Sequence, residues 1–329
     1  MKPYCFVGVD TSNYTTSVAV SDVDGEIIAN LKLPLPVKEG ERGLRQSDAL
    51  FAHTKNLPSL MEQLAEVLHK YTPISVGCSD KPREAEESYM PCFLAGVVAA
   101  TAIAAESDLP VYRFSHQDGH IKAAYYSSGA NIDGDFAAFH VSGGTTEVLY
   151  VKRNDSGFSV KLIGETNDLN AGQCIDRTGV LMGLKFPCGA EMDKLALDYS
   201  GKIKGIKLSV NGMSCNLSGV ENLAKKLYDE TEDKNLVSAY TFEYIAKTIY
   251  KMTDALRAEH PGIPVIYAGG VMSSVYIRER LTKGRTDVYF AKPAFSADNA
   301  AGIALLCREK YLKEKADGTK AYLDSNPIK

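Results

Sequence analysis

Two histidines stand four residues apart in His116-Gln117-Asp118-Gly119-His120. On a helix, residues at i and i+4 share a face, so both imidazoles can reach one cation. Gly119 leaves room beside them. No glutamate lies between the histidines, so this is not the H-E-x-x-H arrangement of a metalloprotease. A third ligand has to come from elsewhere in the chain. Asp298 and His140 qualify by type, and spacing alone selects neither. The bland alternative is a surface pair or a core histidine.

Small polar turns form a second set: Asp10-Thr11-Ser12-Asn13, Ser142-Gly143-Gly144-Thr145-Thr146 and Gly269-Gly270. Backbone N–H groups exposed in such turns cradle phosphates. Each alone reads as an ordinary hairpin turn. Three of them at strand ends fit a nucleotide. A third set runs from Gly164-Glu165-Thr166-Asn167-Asp168 to Gly172 and Asp176. Its carboxylates can take ribose hydroxyls or a cation; alternatively, Asp168 caps a helix and Asp176 forms a surface ion pair. No Ser-His-Asp or Cys-His signature calls for a covalent nucleophile.

These residues need elements to hold them. Tyr4 to Val20 reads as two strands around a polar turn, and Glu26 to Leu33 as a third strand. Leu35 to Ser47 reads as a loop. Asp48 to Tyr71 has helical period, with Pro58 suggesting a kink or restart. A short strand at Ile74 to Cys78 and a charged loop at Ser79 to Glu87 precede an apolar helix, Met90 to Glu106. The strand Pro110 to Phe114 then leads into the helix carrying His116 and His120. Phe136 to Lys152 repeats the opening strand–turn–strand theme, which suggests two related α/β halves. Helices are expected at Asn170 to Leu184, Leu217 to Tyr228 and Val237 to His260, with a Lys/Ser-rich stretch at Lys202 to Ser218. Strands at Pro264 to Ala268 and Asp287 to Phe290 follow. A last helix, Ser296 to Lys315, is capped by Ser296 or Asp298. The tail from Ala316 is polar and reads as loosely packed.

Composition sets the outer limits. The chain has 329 residues, 45% hydrophobic and 24% charged, enough for two ordinary domains. Lys+Arg 37 against Asp+Glu 41 gives −4, so there is no global basic footprint for nucleic acid. RNA would have to meet a local patch or a partner subunit. Seven scattered cysteines without a C-x-x-C pair argue against a structural zinc site or a disulfide framework, and fit free thiols in a reducing compartment. The apolar run Cys92 to Ala105 is too short for a membrane span, and the opening residues have no signal-peptide pattern. The expected address is the cytoplasm.

Taken in order, VGVDTSNYTTSVAV, HQDGH, HVSGGTTE, GETNDLNAGQCIDRTGVLMGL, FPCGAEMDKLA, NLSG, YAGGV and ADNAAGIA resemble the TsaD family from about residue 5 to residue 308. These are tRNA threonylcarbamoyladenosine synthase subunits, related to the archaeal KEOPS catalytic subunit and once labelled O-sialoglycoprotein endopeptidases (glycoproteases). The resemblance implies an α/β actin-like ATPase (ASKHA) fold with two RNase H-like lobes and a nucleotide cleft between them. The lobes would be residues 1–133, completed by a C-terminal helix at 300–329, and residues 134–299.

The resemblance also implies one divalent metal, zinc or iron, on His116, His120 and Asp298. His140 falls where archaeal relatives have a tyrosine ligand, which suggests a fourth. It implies ATP, ADP or an acyl-adenylate, with phosphate on Ser142, Gly143, Gly144 and Thr145, ribose on Asp168, Gly172 and Asp176, and Gly189 at the P-x-G turn. Gly269, Gly270 and Ser274 match the adenosine site. The implied activity is threonylcarbamoyl transfer from its adenylate to adenosine N6 of tRNA or a related acceptor. TsaB-like partners and a homo- or heterodimer would accompany it.

The chain departs from the family at several points. The opening E-T-S-C-D-D-T becomes Asp10-Thr11-Ser12-Asn13-Tyr14-Thr15-Thr16. The S-x-G-P-G-L loop becomes SDKPREAEESYMPCF. The asparagine of G-G-V-x-x-N becomes Ser274. V-S-G-G-H-T-Q becomes VSGGTTE, and the lysine of F-S-G-L-K-T is lost at Glu221. These changes mark a divergent paralogue. They keep open a second reading, a non-catalytic nucleotide-binding ASKHA partner or sensor. The missing glutamate base sets the metalloprotease reading aside.

Overall fold

The computed structural model describes residues 2–12, 14–36, 44–84, 88–154, 157–296 and 298–325. Asn13 of the first turn, most of the loop expected after Leu35 and the end of the charged loop at Ser79 to Glu87 lie outside them. The chain divides into two compact units. The first comprises Met1–Tyr126, Arg153–Ser159 and Asp298–Lys329, and the second Ser127–Lys152 and Val160–Ala297.

The first unit is built on β1 (Tyr4–Thr11), β2 (Thr15–Asp22), β3 (Ile27–Pro34), β4 (Thr72–Lys81) and β5 (Val111–Ser115). Their order is β3-β2-β1-β4-β5; β1 pairs antiparallel with β2 and parallel with β4, and β4 pairs parallel with β5. Helices α1 (Gln46–Leu68) and α2 (Phe93–Glu106) follow β3 and β4, and α3 (His116–Ser128) follows β5 without a break. Alternate residues of a strand face opposite ways. Val7 and Val9 pack with Leu60 and Leu64 of α1 and Ala100 and Ala104 of α2. Gly8 faces the other side, toward the C-terminal helix.

The second unit holds β6 (Phe136–Val141), β7 (Thr146–Asn154) and β8 (Gly157–Glu165), although the β7–β8 tip is grouped with the first unit. Next come α4 (Ala171–Leu181), α5 (Gly189–Asp198), a two-residue ribbon of β9 (Val210–Asn211) and β10 (Ser214–Cys215), α6 (Ser218–Thr231) and α7 (Lys234–Glu259). β11 (Val265–Ala268), α8 (Val275–Thr282), β12 (Val288–Phe290) and α9 (Pro293–Ser296) complete it. Strand order is β12-β11-β6-β7-β8, with β6 antiparallel to β7 and parallel to β11. Both sheets thus use one plan, in which a hairpin strand stands beside two parallel strands. Helix α7 is buried around most of its circumference, from Val237 to Leu256, and serves as the core of this unit.

Several elements differ from the sequence reading. Helix α1 runs unbroken through Pro58, because packing on the sheet outweighs one lost backbone bond. The last helix, α10 (Ala301–Ser325), starts later than expected. Asn299 Oδ1 accepts from the Ala301 N–H at 3.1 Å, so Asn299 is the capping residue there and Asp298 is directed to other partners. Helix α10 also runs on past Ala316, into the expected loose tail. Strand β8 and helices α5 and α8 carry no clear pattern in the sequence; β8 buries only Phe158 and Gly164 and alternates poorly. All seven cysteines are buried and none is in a disulfide, and no described helix is long and apolar enough to cross a membrane.

Glycines allow close backbone approaches in the first unit. A Cβ on Gly302 would stand 1.8 Å from the Gly119 carbonyl oxygen, and one on Gly8 would stand 2.4 Å from the Ala304 nitrogen. Backbone cannot give way there. We expect Gly302→Ala to destabilise the protein by about 3 kcal/mol or more, beyond the usual range for overpacking by flexible side chains. Gly219→Ala on α6, where an added Cβ meets no described atom within 4 Å, should change stability by under ~1 kcal/mol. Paired thermal melts test both.

Candidate metal and phosphate sites

The carboxyl ends of parallel strands are the usual place for ligands in open α/β sheets, because helices begin there and side chains converge. In the first unit that edge carries Asp10 at the end of β1, Ser79 on β4 and His116 directly after β5. Helix α3 puts His116 and His120 on one face, and the Gly119–Gly302 approach brings in the segment before α10. His120 Nε2 lies 2.9 Å from His116 Nε2 and 3.2 Å from Asp298 Oδ1. His116 Nε2 is 3.7 Å from the same oxygen. The three ligand atoms lie within 4.8 Å of one another, the convergence one small ion requires.

The cluster is electrostatically loaded. Burial opposes a charge on His116, but Asp10 and Asp298 outweigh it and push the imidazole up to about 10. Burial also opposes the Asp298 carboxylate, yet hydrogen bonds and charge from His116 and His120 hold it well below the usual range. Two neighbours were passed over in the sequence. Burial pulls Lys32 of β3 down, while the Asp298 charge pulls it up. His53 is fully buried beneath the first turn, with Nδ1 2.8 Å from Thr16 Oγ1, and burial lowers it. Neither residue stands in a motif, so only packing reveals it.

In the second unit, the turn after β6 is tied to itself. Ser142 Oγ accepts from the N–H groups of Gly144 and Thr145, both at 3.1 Å. The Gly172 N–H donates to the Ser142 carbonyl at 3.0 Å, and a Cβ on Gly172 would meet Gly143 N at 2.6 Å. Gly269, at φ 99°, sits so near β6 that a Cβ would meet the Val141 carbonyl oxygen at 2.2 Å. Ser142 to Thr145, Gly172 and Gly269-Gly270 therefore share one sheet edge. An added Cβ on Gly143, Gly144, Gly189 or Gly270 meets no described atom within 4 Å, so the backbone there is open to approach. His140 Nδ1 lies 3.2 Å from Thr145 Oγ1 within this unit.

The acidic residues expected at ribose have internal partners. Asp168 accepts from the N–H groups of Leu169, Leu217 and Ser218 and from the Ser218 hydroxyl. Although burial opposes it, these bonds lower its carboxyl. Asp176 accepts from the Cys188 N–H at 2.8 Å, while burial raises it. Ser274 donates to Asp193, a residue the sequence reading missed. Asp193 also accepts from the N–H groups of Val275 and Tyr276 at the start of α8.

Solved structures that share this fold include three with different activities. Component A of (R)-2-hydroxyglutaryl-CoA dehydratase from Acidaminococcus fermentans superposes with TM-score 0.54 at 15% identity, over 94% of this chain and 99% of its own. HypF in a phosphate- and nucleotide-bound form gives 0.58 at 14%, over 95% of this chain and 56% of its own. A glucokinase of the ROK family from Streptomyces griseus gives 0.51 at 13%, over 93% and 99%. The chain has the α/β actin-like ATPase (ASKHA) fold. Residues 89–305 match the family TsaD, tRNA N6-adenosine threonylcarbamoyltransferase, and the chain belongs to that family. Proteins of that name from Streptococcus suis and Streptococcus pneumoniae are 27% and 28% identical to it, each over 97% of this chain and 96% of their own length.

The charges of the cluster predict a pH signature for the metal-free protein. His116 is raised above its unfolded value, so its stabilisation is complete below about pH 6.5 and is lost as pH rises toward about 10. Asp298 is depressed, so its share is present above about pH 4 and is lost as pH falls further. Melts in chelator should therefore fall from pH 6.5 upward, and His116→Gln should flatten that fall.

Proposed function

We propose that the chain transfers a threonylcarbamoyl group from its adenylate to the N6 amine of a tRNA adenosine, using one divalent metal, zinc or iron(II). The observation that carries this reading is the convergence of His116 Nε2, His120 Nε2 and Asp298 Oδ1 within one coordination radius. Two imidazoles and a carboxylate are a donor set for either metal, with positions left for a ligand. When bound, the metal supplies Lewis acidity toward the acyl carbonyl or phosphate.

The protein's own share is binding and orientation. The turn from Ser142 to Thr145, with Gly143 and Gly144 open to approach, would receive phosphate. Gly172, Gly189, Gly269 and Gly270 would admit the nucleoside against backbone. The adenosine amine forms the new C–N bond as the C–O bond to the adenylate breaks, AMP leaves, and the amine proton passes to solvent or phosphate. With a net charge of −4, tRNA docking would lean on a TsaB-like partner in the cytoplasm. The two lobes would be residues 1–133 with 300–329, and residues 134–299.

A second reading, a nucleotide-binding partner or sensor without transferase activity, draws on one observation. Asp168, Asp176 and Ser274 already hold local backbone or side-chain groups. Both readings need nucleotide, and only the first needs transfer.

The test combines metal analysis with transfer of labelled threonylcarbamoyl from the adenylate to unmodified tRNA, with and without the partner. The transferase reading expects about one metal per chain. It also expects His116→Ala and Asp298→Ala to cost more than about 100-fold in transfer, beyond what loss of an outer-shell group costs. Metal-free wild type that binds nucleotide and transfers nothing would leave the sensor reading.

A further inference from the structure

The end of β1 does more than form a turn. Asp10 is fully buried, and its Oδ1 lies 2.9 Å from His116 Nδ1. Ser79 of β4 donates to the same oxygen, and Oδ2 has no hydrogen-bond partner among the described residues. Two residues on, Ser12 Oγ donates to Asp298 Oδ2 at 3.1 Å. Between them, Thr11 Oγ1 donates to the Cys92 carbonyl and accepts from the Gly96 N–H, both at 3.0 Å, which anchors the strand end to α2. Consecutive residues thus reach His116, the scaffold and Asp298.

A neutral imidazole has one N–H donor and one bare nitrogen. A carboxylate has only lone pairs to offer, so Asp10 requires the hydrogen of His116 to be on Nδ1. Nε2 is then left bare, and Nε2 is the atom that faces His120 and Asp298. Ser12 acts likewise on the carboxylate: it occupies Oδ2 and leaves Oδ1 toward the histidines. Charge supports the same view. Asp10 and Asp298 are two carboxylates beside one cluster, and one divalent cation neutralises both. Buried charge is costly unless it is so compensated.

We infer that Asp10-Thr11-Ser12 is the outer shell of the metal centre, with Asp10 the positioning residue that makes Nε2 the ligating atom of His116 and Ser12 the one that orients Asp298. This rests on the metal-dependent reading above. It adds a role for the opening motif, which in this chain lacks the acidic pair of the family pattern.

The experiment uses the full chain, stripped of metal and titrated with Co²⁺ and Zn²⁺. Affinity is read by competition with a chromophoric chelator, and geometry by the visible Co²⁺ bands. Asp10→Asn keeps the shape and removes the charge, and should weaken Zn²⁺ binding about 10- to 100-fold and shift the Co²⁺ bands. Ser12→Ala should weaken it less. Melts of the metal-free proteins separate this from unfolding. Long-range ¹H–¹⁵N spectra of imidazoles in Zn²⁺-loaded wild type need no variant, and should place the His116 hydrogen on Nδ1. Wild-type affinity and bands in Asp10→Asn, or a His116 hydrogen on Nε2, would overturn the inference while leaving the metal centre standing. Failure of wild type to take up either ion would overturn the metal reading, and the inference with it.

Discussion

The first unit depends on backbone meeting backbone where no side chain fits. Gly302 at the start of α10 lies against the Gly119 carbonyl of α3, and Gly8 of β1 lies against Ala304 of α10. Three elements distant in sequence are therefore held at a separation that no Cβ would permit. Everything at the histidine cluster follows from that approach. Helix α3 presents two imidazoles, the segment before α10 presents Asp298, and β1 ends beneath both with Asp10 and Ser12. A shift of an ångström among these elements would separate donor atoms that now share one coordination radius.

The second unit solves a different problem. Its turn after β6 is tied to itself and yet leaves Gly143 and Gly144 uncovered by described atoms. Rigidity comes from Ser142 Oγ, which gathers two N–H groups, and from Gly172, which lets α4 start against the turn. The carboxylates of Asp168, Asp176 and Asp193 are spent on neighbouring backbone. Each gathers the amides of a loop or helix start, where unpaired N–H groups would otherwise be exposed. These acids are thus architectural as the structure stands, and any contact with ribose would be additional to that work.

Family membership and fold rest on different observations. Fold neighbours at 13–15% identity share the strand plan and include a dehydratase component and a kinase, so the fold alone names no reaction. The family match over residues 89–305 covers α3, the turn after β6 and the start of α10, where the candidate groups lie. The opening strands fall outside that match. There the chain has Asp10-Thr11-Ser12, and only the hydrogen bonds to His116 and Asp298 show what those residues touch.

The sequence by itself determined the local facts. The i,i+4 histidines announced one helical face, the alternating runs announced β1, β2, β6 and β7, and the small polar turns announced strand ends. Those signals are carried within a few residues by backbone period and turn chemistry, so they survive without the fold. Pairings across the chain did not. Spacing could not choose Asp298 as the neighbour of His116 and His120, because that pairing spans 178 residues and depends on two glycines meeting. It could not tell that Asp168 would be occupied by Leu217 and Ser218, or that Asn299 and not Asp298 would cap α10. Which partner a polar atom takes depends on where the chain brings it, and only the tertiary structure decides that.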